Sequence, residues 1–242
     1  MPESRSVRGL DLLVRIAVLA LACSGSTSER SLPIYTVHRV SQPIPFGGQP
    51  GDASWRAAPE ARLVNSLTGG PNRYLTTARM LWDGGTLYVH FDCEDDQPWA
   101  RPGRRDDDPI YEDEVVEVFL DPSGAGRDYA EIEISPANVR FDARFASRRS
   151  DLARARAWSS GARSTVSLAR TPDGTVRGWS VELAIPLAQV RAQLPAAGER
   201  WRMNLYRLEN QNRWQIAEGS AFSPPLRGDF HALDRFGWLI FE

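Results

Sequence analysis

The 242-residue sequence predicts an all-β fold, an antiparallel β-sandwich of the jelly-roll or immunoglobulin-like type with one short helix. Three observations support this. Short apolar or alternating runs recur along the chain, turn residues interrupt them roughly every 8 to 12 residues, and one segment alone has the features of a helix. With 42% apolar residues, the chain can bury a core of its own.

A hairpin is the strongest local signal. Asp83-Gly84-Gly85 separates two strand-like runs, Ala78–Trp82 and Thr86–Phe91. Glycine accepts the positive φ that tight hairpin turns need, so this spacing favours two paired strands. The other predicted strands are Val115–Leu120, Tyr129–Ile134, Val139–Phe145, Ser164–Ala169, Gly178–Leu183, Trp201–Leu208 and Phe236–Phe241. The helix is predicted over Pro186–Leu194, because proline is favoured in a first helical turn.

The first 23 residues are typical of an export signal. Arg5 and Arg8 precede an apolar run over residues 10–22, which is too short to span a bilayer. The run ends at Ala22 and is followed by Cys23 and a Ser/Gly-rich stretch, which resembles a lipoprotein signal with Cys23 as the lipidated residue. Plain signal-peptide cleavage is the alternative. We expect a linker over 24–33, one domain over 34–242, and a protein that is periplasmic, secreted or lipid-anchored.

Composition excludes several classes of protein. The chain has no lysine, which rules out a Schiff-base or P-loop lysine, and its net charge of −2 argues against a nucleic-acid partner. The three histidines and two cysteines have no zinc-ligand spacing. Cys93 lies among apolar residues, and we expect it to be a buried, inert thiol.

Charge is unevenly distributed along the chain. The segment 92–121 holds twelve acidic and three basic residues, whereas 140–170 holds eight arginines and two acids. One interpretation is solvated or mutually docked surfaces. The other is a structural Ca²⁺ site, because the segment supplies hard oxygen ligands. Its candidate ligands are Asp92, Glu94, Asp95 and Asp96.

An ordered series of motifs runs through the chain. They are Gly51-Asp52-Ala53-Ser54-Trp55, Ala78-Arg79-Met80-Leu81-Trp82-Asp83, Leu87-Tyr88-Val89, Glu114-Val115-Val116-Glu117-Val118-Phe119-Leu120-Asp121, Tyr129-Ala130-Glu131-Ile132-Glu133-Ile134-Ser135-Pro136, Gly178-Trp179-Ser180-Val181-Glu182-Leu183-Ala184-Ile185-Pro186 and Arg235-Phe236-Gly237. In this order, the chain resembles the carbohydrate-binding module family 9-like domains, which are relatives of the DOMON β-sandwiches. The resemblance implies a non-catalytic module that binds an oligosaccharide or polysaccharide.

The resemblance also implies a binding site. Its two sugar-stacking aromatic positions fall on Tyr111 and Phe230, and its hydroxyl-binding carboxylate falls on Glu117. Sugar-binding members often carry Trp at both aromatic positions. Where they have Gln and Arg on the next strand, this chain has Glu131 and Glu133.

The eight tryptophans divide into two groups by their neighbours. Five lie in apolar strand patterns and are predicted to be core residues: Trp55, Trp82, Trp179, Trp201 and Trp238. The other three have polar neighbours and are further candidates for a stacking platform: Trp99, Trp158 and Trp214.

Two other functions stay open. Some DOMON relatives bind haem through Met with His or Lys, and Met80 and His90 flank the predicted hairpin. The sandwich could instead serve only protein–protein contact.

The several glutamates also allow a glycosidase pair. However, we expect no enzyme activity, since the resembled family is non-catalytic and the sequence has no nucleophile-elbow or metalloprotease motif.

Overall fold

The computed structural model describes residues 31–45, 47, 53–210 and 218–242. A compact unit spans Leu32–Glu242. Its strands are β1 (Ile34–Arg39), β2 (Glu60–Arg62), β3 (Val64–Asn65), β4 (Thr76–Trp82), β5 (Thr86–Glu94), β6 (Val115–Asp121), β7 (Tyr129–Ile134), β8 (Arg140–Phe145), β9 (Arg163–Arg170), β10 (Val176–Pro186), β11 (Arg200–Glu209), β12 (Glu218–Ala221) and β13 (Gly237–Phe241). The helices are α1 (Leu152–Ala155) and α2 (Leu187–Val190), with 3₁₀ turns at Ala53–Ala57, Ile110–Glu112 and Leu233–Arg235.

The strands form two hydrogen-bonded groups that share β1. The first sheet has the order β8-β7-β6-β11-β13-β1, and β12 and β3 extend it from β11. The second sheet has the order β1-β4-β5-β10-β9, with β2 paired to β4. Because β1 pairs with β13 through its first residues and with β4 through its last two, it joins the two sheets.

The structure corrects the predicted topology in two places. The fold is all-β, but the pairing is mixed rather than antiparallel throughout, because β1 runs parallel to both β13 and β4. There are also two short α-helices in the described residues instead of one. The sequence analysis missed α1, which begins where the Asp151 side chain accepts a hydrogen bond from the Arg154 backbone N–H (3.2 Å).

The predicted hairpin is confirmed by β4 and β5. Asp83 accepts hydrogen bonds through Oδ1 from the backbone N–H groups of Gly85 (2.9 Å) and Thr86 (2.8 Å). Gly84 adopts a φ of +98°, which favours glycine. The helix predicted after Pro186 forms over Leu187–Val190 and ends where Arg191 returns to extended backbone.

Alternation along the strands gives the first sheet two apolar faces. On β6, Val116, Val118 and Leu120 join a large core that also contains residues of the second sheet, so the two sheets pack on one another as in a β-sandwich. Val115 and Phe119 lie on the opposite face, in a second cluster of mostly aromatic residues. We call that opposite face the outer face.

Four of the five tryptophans predicted to be core residues are buried: Trp55, Trp82, Trp179 and Trp201. Trp238 is only half-buried, because it alternates with the buried residues of β13 and faces away from the core. The guanidinium groups of Arg200 and Arg202 lie 4.4 and 4.8 Å from its ring centroid. Cys93 is buried as predicted, and burial raises the pKa of its thiol to about 12. Within the described residues, no helix is long and apolar enough to cross a membrane.

Candidate functional site

The outer face of the first sheet carries a cavity of about 680 Å³. Strands β6, β7 and β8 form its floor, to which they contribute Glu117, Glu131, Phe141 and Phe145. Connecting segments form its rim, where Tyr111, Phe230, Leu67 and Leu152 lie among others. The cavity therefore combines aromatic surface with carboxylates.

Four of the five residues assigned to the site from the sequence line this cavity: Tyr111, Glu117, Glu131 and Phe230. They come together because Glu117 on β6 lies opposite Glu133 on β7, and Glu131 lies two residues before Glu133 on the same face. Glu133 is the fifth residue, and it is fully buried beside the other two glutamates.

Phe230 is held in place by its neighbours. Its ring stacks on that of Tyr206 with centroids 4.0 Å apart and an interplanar angle of 6°. The Tyr206 hydroxyl donates a hydrogen bond to the Phe230 carbonyl (2.9 Å). A Cβ on Gly219 would lie 3.1 Å from the Phe230 Cζ, so a larger residue there would require the ring to shift by a few tenths of an ångström. One face of Phe230 is therefore covered by Tyr206.

Tyr111 is half-buried on the 3₁₀ turn Ile110–Glu112. The turn is anchored by Ile110, which is fully buried in the aromatic cluster. The Tyr111 ring meets Phe141 of β8 edge to face, with centroids 5.4 Å apart. An aromatic side chain of the rim thus packs directly on the floor of the cavity.

The three glutamates form a tight group, which we call the glutamate cluster: Glu117, Glu131 and Glu133 have carboxylate oxygens within 4.8 Å of one another. Their exposed fractions are 3%, 6% and 0%. Burial raises the pKa of Glu131 to about 7. Burial, with the charge of the neighbouring glutamates, raises the pKa of Glu117 and of Glu133 well above the ordinary value.

Glu133 is the most isolated member of the cluster. Among the described residues, no N–H or O–H group outside the glutamate cluster donates a hydrogen bond to either of its carboxylate oxygens. Its remaining neighbour is the carboxyl of Glu131, with which it can share a proton. Since a buried, unpaired carboxylate is costly, the empty site favours protonated glutamates.

His231 was not identified from the sequence, yet it lines the cavity. Its Nδ1 lies 2.6 Å from the Tyr129 hydroxyl, and its Nε2 lies 3.8 Å from Oε1 of Glu131. Burial, assisted by the charge of Arg149, lowers the pKa of His231 to about 4. The imidazole is therefore neutral near pH 7 and does not balance the glutamates.

Comparison with protein families places residues 47–239 in the family described as carbohydrate family 9 binding domain-like. The chain belongs to this family. No curated protein matches the chain.

Solved structures share the fold. A candidate carbohydrate-binding protein from Bacteroides uniformis has a TM-score of 0.69 at 21% identity, over 88% of this chain and 100% of that one. A family 9 module from Caldicellulosiruptor kristjanssonii in complex with glucose has a TM-score of 0.62 at 16% identity, covering 87% and 96% of the two chains. The same organism's module in complex with cellotriose gives 0.61 at 17% identity, covering 87% and 94%.

The four acidic residues predicted as Ca²⁺ ligands do not converge in this family 9-like domain. Asp95 pairs with Arg207 (2.7 Å), and Asp92 lies near His90 (3.1 Å). Asp96 lies 3.9 Å from Arg73, and Glu94 accepts a hydrogen bond from the Leu75 backbone N–H (3.2 Å). In the part of the chain that the structure describes, the glutamate cluster alone gathers three possible metal-ligating side chains.

The haem alternative does not fit the strand geometry. Met80 is buried in the core between the two sheets. His90 follows Val89, the residue opposite Met80, so it points to the other face of the second sheet, where it stacks on Trp55 at 5.2 Å. The two side chains cannot ligate one iron, because they lie on opposite sides of the same sheet.

The remaining sequence candidates lie away from the cavity or outside the described residues. Neither Trp158 nor Trp99 lines the cavity. Trp158 packs against the main core, and the Trp99 backbone N–H donates a hydrogen bond to Glu114. Trp214 and Cys23 lie outside the described residues. Period-2 spacing on β8 could have pointed to Phe141 and Phe145, whereas nothing in the sequence marks His231 as a neighbour of Glu131.

Proposed function

We propose that this chain is a non-catalytic carbohydrate-binding module that holds its sugar in the outer-face cavity. One observation carries the proposal. The aromatic and acidic positions implied by the family 9 resemblance, far apart in sequence, line the same cavity. The family 9 modules solved with glucose and cellotriose support a sugar ligand on this fold.

The cavity has the chemistry that sugar recognition needs. A pyranose has an apolar C–H face that packs on aromatic rings, and Tyr111, Phe230, Phe141 and Phe145 offer such surface. Its hydroxyl rim donates hydrogen bonds, which carboxylates accept. The cavity volume also lies in the range of small-ligand sites, roughly 300–1,000 Å³.

The matching family supports binding without cleavage, because it is described as a carbohydrate-binding domain. Glycosidases also use two neighbouring carboxyl groups, so this part of the proposal needs its own test. Turnover of aryl-glycosides that Glu117→Gln abolishes would refute it.

Calorimetric titration with a panel of neutral oligosaccharides tests the proposal. Truncation of Phe230→Ala or Tyr111→Ala removes stacking surface, so we expect each to weaken binding by about tenfold or more. Trp238→Ala is the matched control, because this aromatic residue lies outside the cavity. The proposal is wrong if no saccharide binds, or if all three variants bind as the wild type does.

We also propose that the protein is exported and anchored through a lipid on Cys23. The charged, apolar and small-residue order of residues 5–23 supports this proposal. Fatty-acid labelling and cell fractionation test it. Cys23→Ser should abolish labelling and release the protein from the membrane fraction, whereas an unlabelled wild type would refute the anchor.

A further inference from the structure

The charge of the cavity lining is strongly unbalanced. Four acidic side chains line the cavity: Glu117, Glu131, Asp151 and Glu218. Among the described residues that line it, Arg149 is the one basic side chain. Its guanidinium is already ion-paired to Asp229, with Nη2 and Oδ1 3.0 Å apart. When its carboxyl groups are ionised, the cavity lining therefore carries more negative than positive charge.

Glu133 adds a third carboxyl group behind this lining, and its ionised form would need a cation. It is completely buried, its two oxygens receive no hydrogen bond from outside the glutamate cluster among the described residues, and the carboxyl oxygens of the three glutamates lie within 4.8 Å of one another. A neutral sugar would supply hydroxyl donors to Glu117 and Glu131 without compensating the charge of the group. A cation would compensate it.

We propose that the cavity selects a protonated amino sugar, whose ammonium group binds Glu117 and Glu131 in front of Glu133. An ammonium group donates hydrogen bonds to as many as three oxygens at about 2.8 Å, which then lie about 4.6 Å apart. The carboxyl oxygens of the glutamate cluster lie within 4.8 Å of one another, so one ammonium group can reach both Glu117 and Glu131. The inference rests on the proposed function and names the class of sugar.

The rest of the cavity favours a sugar-borne amine over a bare metal ion. A metal ion would contact only the carboxylates. It would leave most of the 680 Å³ cavity unfilled and the rings of Tyr111 and Phe230 without a ligand to contact. An amino sugar uses both parts, because its ammonium group meets the floor and its ring faces the aromatic side chains. Uronic acids and sulfated sugars are disfavoured, since they would place negative charge on a negative cavity.

Binding of the ammonium group should release protons. In the empty site, burial holds the pKa of Glu131 at about 7 and that of Glu117 and Glu133 above the ordinary value. A cation favours the ionised carboxylates and so lowers these pKa values. The number of protons released follows from titrations near neutral pH in buffers with different ionisation enthalpies.

The experiment compares three matched trisaccharides by calorimetry near neutral pH: cellotriose, the N-acetylglucosamine trimer and the glucosamine trimer. We expect the glucosamine trimer to bind at least about tenfold more tightly than the other two and to release protons. Ca²⁺ and Mn²⁺ are titrated separately. This comparison needs only the wild-type protein, so it does not depend on the folding of a variant.

Two variants test the residues. Glu117→Gln and Glu133→Gln keep the side-chain shape and remove one carboxylate each, so both should reduce the preference for the amine and the protons released. Glu60→Gln is the matched control, because Glu60 is an exposed carboxylate on β2 of the second sheet. It should retain both properties.

The outcomes separate the two proposals. Equal binding of all three trisaccharides would overturn the amino-sugar inference and leave the carbohydrate proposal standing. If no saccharide binds, both fail. Tight metal binding without a preference for the glucosamine trimer would also overturn the inference, as would a preference that Glu117→Gln leaves unchanged.

Discussion

The domain contains two groups of buried carboxylates, and their surroundings differ sharply. Asp95 and Glu114 lie at the edge of the core between the sheets, where both receive hydrogen bonds from the guanidinium of Arg207. The glutamate cluster lies on the outer face, and within the described residues it has no arginine in salt-bridge contact. Both groups are buried to a similar degree.

Partners, rather than burial, distinguish the two groups. Arg207 donates to Asp95 (2.7 Å), to Glu114 (3.0 Å) and also to the Glu94 carbonyl (2.8 Å). Glu114 further accepts hydrogen bonds from the indole N–H of Trp179 (2.9 Å) and the backbone N–H of Trp99 (3.0 Å). The carboxylates of this first group therefore receive their hydrogen bonds within the chain and serve the fold. The glutamate cluster lacks such donors, which is why we assign it to a ligand.

The largest effect is expected from breaking the satisfied group. Arg207→Leu leaves Asp95 and Glu114 buried without their cation. Removing one partner of a buried ion pair typically costs about 3–5 kcal/mol, so we expect the free energy of unfolding to fall by about that amount. Urea denaturation measures it.

The control for Arg207→Leu is Arg200→Leu, which replaces an exposed arginine at the start of the same strand. Arg200 contacts the Trp238 ring, and its loss should cost about 1 kcal/mol or less. Similar losses in the two variants would contradict the structural role assigned to the Arg207 group.

The second test concerns the glutamate cluster. Here the loss of a charged side chain is expected to preserve the free energy of unfolding at high pH, whereas the loss of Arg207 lowers it. Glu131 has a folded pKa of about 7, and the pKa of Glu133 is raised well above its ordinary value. In the unfolded chain these glutamates lose their protons near pH 4.3, so above that pH the folded state binds more protons than the unfolded state does. The free energy of unfolding therefore falls as the pH rises. His231, with a folded pKa of about 4, opposes this trend only below about pH 6.5.

Between about pH 7 and 9 His231 no longer contributes, and the decline comes from the glutamate cluster together with Glu114, whose pKa burial raises to about 8. Glu133→Gln removes one carboxyl group of the cluster, so the decline in the free energy of unfolding should become shallower by up to about 1.4 kcal/mol per pH unit. Urea denaturation across this pH range measures the slope, and Glu60→Gln should leave it unchanged. If Glu133→Gln has a steeper decline than the wild type, or a lower free energy of unfolding than the wild type at high pH, then Glu133 is satisfied in the folded protein.

The sequence predicted nine of the thirteen strands in the described residues, with β6, β7 and β8 correct to within one residue at each end. The positions of Glu117, Glu131 and Glu133 came from the family resemblance, and their common face became visible only when β6 and β7 were paired. The sequence did not predict β1, because the parallel pairing of β1 with both β13 and β4 depends on segments far apart in the chain.

The role of each carboxylate could not be predicted from the sequence for the same physical reason. Asp95 lies in an acidic run that is typical of a cation site, but its partner Arg207 is 112 residues away. Glu133 lies in an ordinary strand pattern, and its lack of donors becomes visible only when the neighbouring strands are in place. Side chains can be placed on a face from local pattern, whereas their partners depend on the tertiary structure.

The smallest effect concerns the rim of the cavity. A methyl group at Gly219 would lie 2.6 Å from the Ser66 hydroxyl and 3.1 Å from the Phe230 Cζ. Gly219→Ala should therefore move Ser66 and shift the Phe230 ring by a few tenths of an ångström, and we expect it to weaken sugar binding by up to about fivefold, or about 1 kcal/mol.

Gly228→Ala is the matched control for Gly219→Ala, because Gly228 also lines the cavity but an added Cβ there meets nothing within 4 Å. Calorimetry should show wild-type affinity for Gly228→Ala and a loss for Gly219→Ala, with the pH dependence of stability unchanged in both, since neither substitution alters a carboxylate. If Gly219→Ala binds as tightly as the control, the position of Phe230 does not limit binding. Recognition would then depend on the glutamate cluster and on the remaining aromatic surface rather than on the exact placement of Phe230, and the comparison between satisfied and unsatisfied carboxylates would become the stronger basis of the site.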